Sequence, residues 1–198
     1  MSFRTQGIDA PAGFSGDGFV VRPLLPSDNA LDHAAVMETR EFLYHWEQEP
    51  PYPPEDFSLE ENLEDLEGMA QAHEDGIRYT YTVMNADETE VLGCLYFMPN
   101  DDRMYPSATV SSHDGSDFTT VDLLLGFWVR TSTWADGFEA TLLAAVLAWI
   151  ERDWSVTAPV VVTNDALDTQ IASIESVGLT RRFDYDRDKD MYTNLVYG

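Results

Sequence analysis

Thr120 to Trp154, TTVDLLLGFWVRTSTWADGFEATLLAAVLAWIERDW, is the stretch whose reading decides the fold. Its first part, Val121 to Val129, is a dense run of apolar, β-branched and aromatic residues, which predicts a buried strand. From Gly137 to Arg152, Phe138, Leu142, Ala145 and Trp149 recur at helical spacing with Leu143, Val146, Leu147 and Ile150 beside them, which predicts a helix buried on a wide face. Between the two lie Thr131, Ser132, Thr133, Trp134, Ala135 and Asp136. A strand, a polar turn and a helix N-terminus in succession make a candidate anion site, because the first N–H groups of a helix lack intrahelical acceptors and sit at the positive end of its dipole.

Working outward toward the C-terminus, Ala158 to Thr163 is a short, fully apolar strand suited to the middle of a sheet. Asn164 and Asp165 then start a helix through about Val177, which Gly178 stops. The tail splits into two strand-like pieces around Asp186 to Asp190, a final hairpin. Toward the N-terminus, Pro99 to Phe118 reads as a long polar loop holding Asp101, Asp102, Pro106, His113 and Gly115. Ile77 to Met84 and Glu90 to Met98 form a hairpin. Ser58 with Glu61 is a capping-box pattern for a helix to about Ala72. Glu49 to Phe57, with Pro50, Pro51, Pro53 and Pro54, is a non-helical connector flanked by Tyr44 and Tyr52, which are placed to line a cleft. After a strand at Gly18 to Leu24, Ser27, Asp28 and Asn29 offer N-caps for a helix through about Trp46. Residues 1–17 show no periodicity and are expected to be a loose arm ahead of a single domain spanning 18–198.

Composition narrows the function. The 198 residues are 44% hydrophobic and 12% aromatic, and no apolar run reaches the roughly 20 residues of a membrane helix. The first residues have neither a positive lead nor an apolar core, so no signal peptide is expected, and a cytoplasmic location follows by default. Cys94 is the only cysteine, which excludes an intrachain disulfide and a thiolate metal site; it reads as a buried, inert thiol. The net charge is −25 and Lys189 is the only lysine, so nucleic acid and anionic membrane are not expected partners. Cationic ligands, or a high-salt interior, suit such a surface. The four histidines have no ligand-like spacing, so no metal is expected. Phosphate-loop, dinucleotide and Gly-x-Ser-x-Gly patterns are absent.

The inferred order of elements is strand, helix, helix, three strands, helix, strand, helix, two strands. It resembles the GNAT N-acetyltransferase fold over residues 18–197. Gly126, Phe127, Trp128 and Val129, followed by Trp134, Ala135, Asp136, Gly137 and Phe138, look like the G-[YF]-W-[LV] … W-x-x-G-[YF] segment of the branch that includes ribosomal-protein N-terminal acetyltransferases. Asn164, followed by Ile174 to Leu179, is similar to the second signature of that family. The resemblance implies an α+β fold (an α/β mixed sheet) with a mostly antiparallel central sheet, splayed between its fourth and fifth strands and flanked by helices. It further implies acetyl-CoA as co-substrate, with Trp128, Val129, Trp134, Ala135, Gly137, Phe138 and Asn164 as cofactor-binding positions. It implies transfer of acetyl to a cationic small amine or a peptide N-terminus, and is compatible with a homodimer. Asp136 and Glu139 depart from the family turn and put negative charge where the pyrophosphate is expected, while Ile174 stands where a Tyr proton donor is frequent. The alternative is a non-catalytic domain of the same fold that binds a ligand or a protein.

Acetyl transfer to an amine needs a proton acceptor and N–H groups that polarise a carbonyl. Three residues are candidates for the general base. Asp122 is in register with Leu124, Gly126 and Trp128; His113 lies in the long loop; Glu41 lies on the first helix, with Tyr44 and Trp46 as substrate walls. The plainer reading of each is a solvated surface side chain.

Overall fold

The computed structural model describes residues 2–48, 52–100 and 108–198. In chain order the elements are α1 (Phe3–Gln6), β1 (Phe14–Ser15), β2 (Phe19–Pro23), α2 (Asn29–Glu38), α3 (Arg40–Glu47), α4 (Leu59–Glu74), β3 (Tyr79–Asn85), β4 (Val91–Met98), β5 (Thr109–Ser112), β6 (Leu123–Val129), α5 (Phe138–Asp153), β7 (Pro159–Asn164), α6 (Asp168–Ser176), β8 (Arg181–Asp186) and β9 (Asn194–Tyr197). The strands form one sheet in the order β1-β2-β3-β4-β6-β7-β9-β8-β5. Among the described residues only β6 and β7 pair in parallel; every other neighbouring pair is antiparallel.

Alternation along β6 explains the layers. Successive side chains point to opposite faces of a strand, and every residue of β6 is buried, so both faces must be covered. Leu123, Leu125, Phe127 and Val129 pack with Leu142, Val146 and Trp149 of α5. On the other face Trp128 packs with Val36, Leu43 and Leu66 of α2, α3 and α4. Leu124 joins a third cluster with Phe183, Tyr185 and Val196. Gly126 shares the Trp128 face, and Trp46 fills its place: a Cβ there would lie 3.1 Å from the Trp46 ring.

The capping box forms as its sequence requires. The Ser58 hydroxyl accepts from the Glu61 N–H at 3.2 Å, and the Glu61 carboxylate accepts from the Ser58 N–H at 2.8 Å. Among the described residues no helix is long and apolar enough to cross a membrane.

Four expectations need correction. Residues 2–17 do not form a loose arm: Phe3 is fully buried and stacks on Tyr79 at 4.9 Å, and the Tyr79 and Tyr81 hydroxyls donate to the Ile8 and Pro11 carbonyls. Isolated aromatic anchors of this kind leave no periodic trace. The helix expected through Trp46 breaks at Thr39, which is wholly buried and has ψ of 6°, so α3 takes its own direction. The loop expected at 99–118 contains β5, which pairs with β8 at the sheet edge; Asp101, Asp102 and Pro106 lie outside the described residues, as do Glu49, Pro50 and Pro51 of the connector. The last helix starts at Asp168, because Asn164 and the turn after it are used otherwise.

Candidate active site

The parallel ladder between β6 and β7 runs only from Leu123↔Pro159 to Leu125↔Val161, after which the strands separate. Gly126–Val129 therefore has a partner on one side alone, β4. Backbone groups along an antiparallel edge alternate between its two sides. The Arg130 N–H donates to the Leu92 carbonyl toward β4 at 2.8 Å, whereas the Phe127 carbonyl faces the gap and accepts from Gln170 Nε2 at 3.0 Å. By the same alternation the N–H and C=O of Val129 face the gap. Gln170 is fully buried; its Oε1 accepts from the Thr163 hydroxyl at 2.7 Å, and its Nε2 also reaches Glu139 Oε1 at 3.3 Å.

Beyond Val129, a 3₁₀ turn at Thr131–Asp136 leads to Gly137 with φ 67° and ψ 24°, and α5 begins at Phe138. The first intrahelical bond, from the Thr141 N–H to the Gly137 carbonyl, leaves the amides of Phe138, Glu139 and Ala140 ahead of it. Nothing lies within 4 Å of where a Gly137 Cβ would stand, so glycine is needed there for its left-handed backbone and for open space above the turn. Gly137→Ala is expected to destabilise the protein by about 1 kcal/mol, the cost of a left-handed L-residue, as read from a denaturant midpoint. An unchanged midpoint would show that the turn does not hold this geometry.

The charges at this turn differ from those the sequence suggests. Glu139 is buried, and its carboxyl turns inward to Gln170 and Ser173; burial raises its pKa, so it does not project at the turn. Asp136 is exposed. Glu38, at the end of α2, reaches the start of the turn, where its carboxylate accepts from Arg130 Nε at 2.6 Å and from the Ser132 N–H at 3.0 Å. Burial acts against that charge, but the bonds from Ser132 and Arg130 outweigh it and hold the pKa below the usual range. Arg130 is shared with Glu90 at 2.7 Å, so the cation nearest the turn is already neutralised.

Two cavities flank the open end of β6, with a small third space between them. A groove of about 530 Å³ lies between the turn and the start of α6, lined by Glu38, Glu41, Phe42, His45, Trp134 and Asp168 among others. A chamber of about 430 Å³ lies against α2, α3 and α4, with Tyr52, Tyr96, Trp128 and Cys94 in its walls. Asp32, Glu47 and Asp65 also line it. Glu47 borders the third space, about 60 Å³, beside Gly126 and Asn164 at the strand gap. Helix α3 contributes to all three.

The chamber carboxylates are perturbed. Burial pushes Glu47 up to about 7, helped by the charge of Asp65. Burial pushes Asp32 up to about 6 in spite of its hydrogen bond from Asn62. Asp65 is raised by burial, against contact with the Tyr52 hydroxyl. The Cys94 thiol is buried and raised far above its ordinary value, in keeping with an inert thiol.

The structure separates the three base candidates. Asp122 precedes β6 at the end opposite the gap, where it accepts from the Thr157 N–H at 2.6 Å and the Ala158 N–H at 3.0 Å; it ties β6 to the start of β7. Strand rise places it about 20 Å from Val129. His113 follows β5 at the far sheet edge and pairs with Asp184 at 3.0 Å; β7, β9 and β8 lie between it and β6. Neither reaches the gap. Glu41 is exposed on the rim of the groove.

Among the residues expected to bind a cofactor, Val129, Ala135, Gly137 and Phe138 stand along the gap and turn. Trp128 is buried in the chamber wall, its Nε1 donating to the Tyr96 hydroxyl at 3.1 Å. Trp134 packs edge-on against Phe42 at 5.6 Å, and its Nε1 is buried without a hydrogen-bond partner among the described residues. Asn164 spends its amide within the chain: Nδ2 donates to the His45 carbonyl at 3.0 Å and Oδ1 accepts from the Ala166 N–H at 3.0 Å, which ties β7 to α3. Sequence reading missed Asp32, Glu47, Asp65 and Gln170, since each looks like an ordinary polar position on a helix. The tyrosines flagged at the connector were the available signal, and Tyr52 does line the chamber.

A mixed sheet that opens between two parallel strands, with a glycine turn at the mouth and helices on both faces, defines the acyl-CoA N-acyltransferase fold of the GNAT acetyltransferases. The chain is similar to the solved ribosomal-protein-S5-alanine acetyltransferase of Vibrio fischeri, with a TM-score of 0.69 and 12% identity over 94% of this chain and 95% of that one. It is also similar to RimL, a ribosomal L7/L12 α-N-protein acetyltransferase solved with coenzyme A (TM-score 0.67, 16% identity, 96% of each chain). A third likeness is to Mycobacterium smegmatis RimJ with CoA-disulfide (TM-score 0.68, 15% identity, 96% of this chain and 83% of that one). No protein-family model matches the sequence, and no curated protein matches it.

Proposed function

We propose that the protein is an acetyl-CoA-dependent N-acetyltransferase that transfers acetyl to a primary amine, of a small molecule or a peptide N-terminus, by direct attack. The observation that carries this is the unpaired end of β6, which has a groove on one side and an acidic chamber on the other, both lined by α3. Bound acetyl-CoA supplies an activated acyl thioester. The residues fit it in shape: the backbone of Val129 faces the gap, the open space over Gly137 admits a phosphate, and the amides of Phe138 to Ala140 form a helix N-terminus. Trp134 and Phe42 wall the groove, and Asn164 positions α3 beside the gap. No covalent nucleophile is required of the chain.

Charge opposes this fit, because Glu38, Glu41 and Asp168 ring the groove and Asp136 lies on the turn. That supports one consequence and one competing reading. The consequence is that acetyl-CoA affinity rises with salt: between about 0.1 M and about 1 M the screening length falls from about 10 Å to about 3 Å, which removes most of the repulsion. A gain of about tenfold in calorimetric affinity is expected, worth about 1.4 kcal/mol. The competing reading is a non-catalytic binding domain of the same fold, supported by the Glu38 carboxylate on the Ser132 amide and by Gln170 on the Phe127 carbonyl. Absence of acetyl-CoA binding at both salt concentrations would sink the enzyme reading. Binding with turnover on a panel of amines would sink the other.

A further inference from the structure

We infer that the chamber against α2, α3 and α4 is an acceptor pocket for a compact organic dication, a primary amine carrying a second cationic group, and that Glu47 is the proton acceptor for the reacting amine. The inference rests on the acetyl-transfer reading and names the substrate class of that site.

The chamber has the volume of a small-molecule site, about 430 Å³, and no Lys, Arg or His among its lining residues. Three carboxylates nevertheless line it. Asp32 is only 5% exposed; Asn62 Nδ2 donates to its Oδ2 at 3.0 Å, and Oδ1 has no hydrogen-bond partner among the described residues. Glu47 makes no hydrogen bond or ion pair among the described residues, and its pKa is raised by burial. The nearby guanidinium of Arg22 is held bidentately by Asp28, at 2.8 and 2.9 Å, and by Glu88 at 2.7 Å. Of the other ionisable groups, Asp28 and His33 act on Asp32, Asp65 acts on Glu47, and Glu61 and Glu64 act on Asp65. Among the described residues no cation is left to balance the chamber except the weak influence of His33.

Carboxylates partly or wholly withdrawn from water without a countercharge are costly, and a cationic ligand removes the cost. The three are spread over different walls. Asp32 and Asp65 belong to α2 and α4, whereas Glu47 ends α3 beside Gly126 and Asn164 at the strand gap. One cation therefore satisfies only part of the site. A dication places one ammonium between Asp32 and Asp65 and its reacting nitrogen at Glu47, with its carbon skeleton against Tyr52, Tyr96 and Trp128. A peptide N-terminus brings backbone amides for which these walls offer few partners.

A carboxylate poised near neutrality suits proton acceptance from an ammonium. In net terms an ammonium and an acyl thioester give an amide, a thiol and one proton. The proton lost from the ammonium is the one Glu47 takes and releases to solvent, and the second nitrogen proton ends on the thiol sulfur.

The test titrates the full chain, without acetyl-CoA, with putrescine, butylamine and trialanine, and then measures acetylation of each. Putrescine is expected to bind at least about tenfold tighter than butylamine and to raise the melting temperature. Asp32→Asn or Asp65→Asn, each checked for a native melt, is expected to abolish that preference. Glu47→Gln is expected to weaken putrescine binding toward that of butylamine, and at saturating putrescine turnover is expected to fall about a hundredfold or more, with loss of the limb of the pH profile near 7. Equal affinity for putrescine and butylamine, or a preference for trialanine, overturns the acceptor class. Unchanged turnover in Glu47→Gln overturns its role. Diamine binding with no acetyl transfer to any amine keeps the pocket and fails the enzyme reading; acetylation of trialanine without diamine binding does the reverse.

Discussion

Trp149→Ala is expected to cost about 3–5 kcal/mol, the range for removing a fully buried large aromatic. Trp149 has no exposed surface, and its ring meets Phe14 at 5.1 Å, Tyr81 at 5.2 Å, Trp154 at 5.4 Å and Phe97 at 5.7 Å. These partners come from β1, β3, β4 and the end of α5, so the indole is the knot between α5 and the sheet. Its Nε1 is buried with no hydrogen-bond partner among the described residues, and it contributes only slightly to lowering the Asp153 pKa, so little polar bonding is lost with it. At about 2–4 °C per kcal/mol for a chain of this size, the melting temperature should fall by about 10 °C or more. Trp149→Phe keeps a ring and removes an unsatisfied donor, so it should cost much less. A fall of under about 1 kcal/mol for Trp149→Ala would show that α5 is not held by this cluster. Since α5 carries the turn at Gly137, the two variants should also order acetyl-CoA affinity as they order stability.

Stability should fall as pH rises from about 4 to about 7.5, the reverse of the usual behaviour of acidic groups in ion pairs. Asp32 is raised from 3.8 to about 6 and Glu47 from 4.5 to about 7, chiefly by burial. In the unfolded chain both ionise near their ordinary values. Between those values and the folded ones, the native state therefore binds more protons than the unfolded state. Their stabilising protonation is complete below about pH 4 and is lost as pH passes through 6 to 7. Each shift of about two units corresponds to roughly 3 kcal/mol at most. Asp184, held by Arg181, and Glu38, held by Ser132 and Arg130, have lowered pKa values and act oppositely, but their contribution is lost only below about pH 4.5; His73, whose pKa burial lowers from 6.5, opposes the fall at higher pH and makes it shallower. The raised and lowered carboxyl groups meet at about pH 4 to 4.5, so maximal stability is expected there. Urea unfolding at pH 5 and pH 7.5 measures this, and Asp32→Asn with Glu47→Gln should flatten the difference. A wild-type stability that rises across the same interval would contradict the chamber's electrostatics. Putrescine at pH 7.5 should recover part of the loss, because it supplies the missing cation.

Wherever one periodic element carries the signal, the sequence is sufficient by itself. The apolar run at Leu123–Val129, the helical spacing from Phe138 to Trp149, the capping box at Ser58 and Glu61 and the terminal hairpin are local patterns, each set by the burial of one face or by one cap. Their succession was enough to identify the fold and to place Val129 and Gly137 at its opening. The N-terminal arm was not legible, because Phe3 and Ile8 bury through tertiary contacts that follow no period. Nor was the break at Thr39, which separates α2 from α3.

The chemistry of the site was decided by tertiary structure alone. Asp122 shares a strand face with Trp128 by spacing, yet strand rise separates them, and its oxygens are consumed by Thr157 and Ala158. Glu139 adjoins the turn in sequence, yet its side chain is turned under α5 to Gln170. Glu47, Asp32 and Asp65 are remote in sequence and ordinary in type. They line one chamber only when three helices bring them together, since a carboxylate acquires an unusual pKa from the water it loses and the charges it meets, and both are properties of the assembled fold.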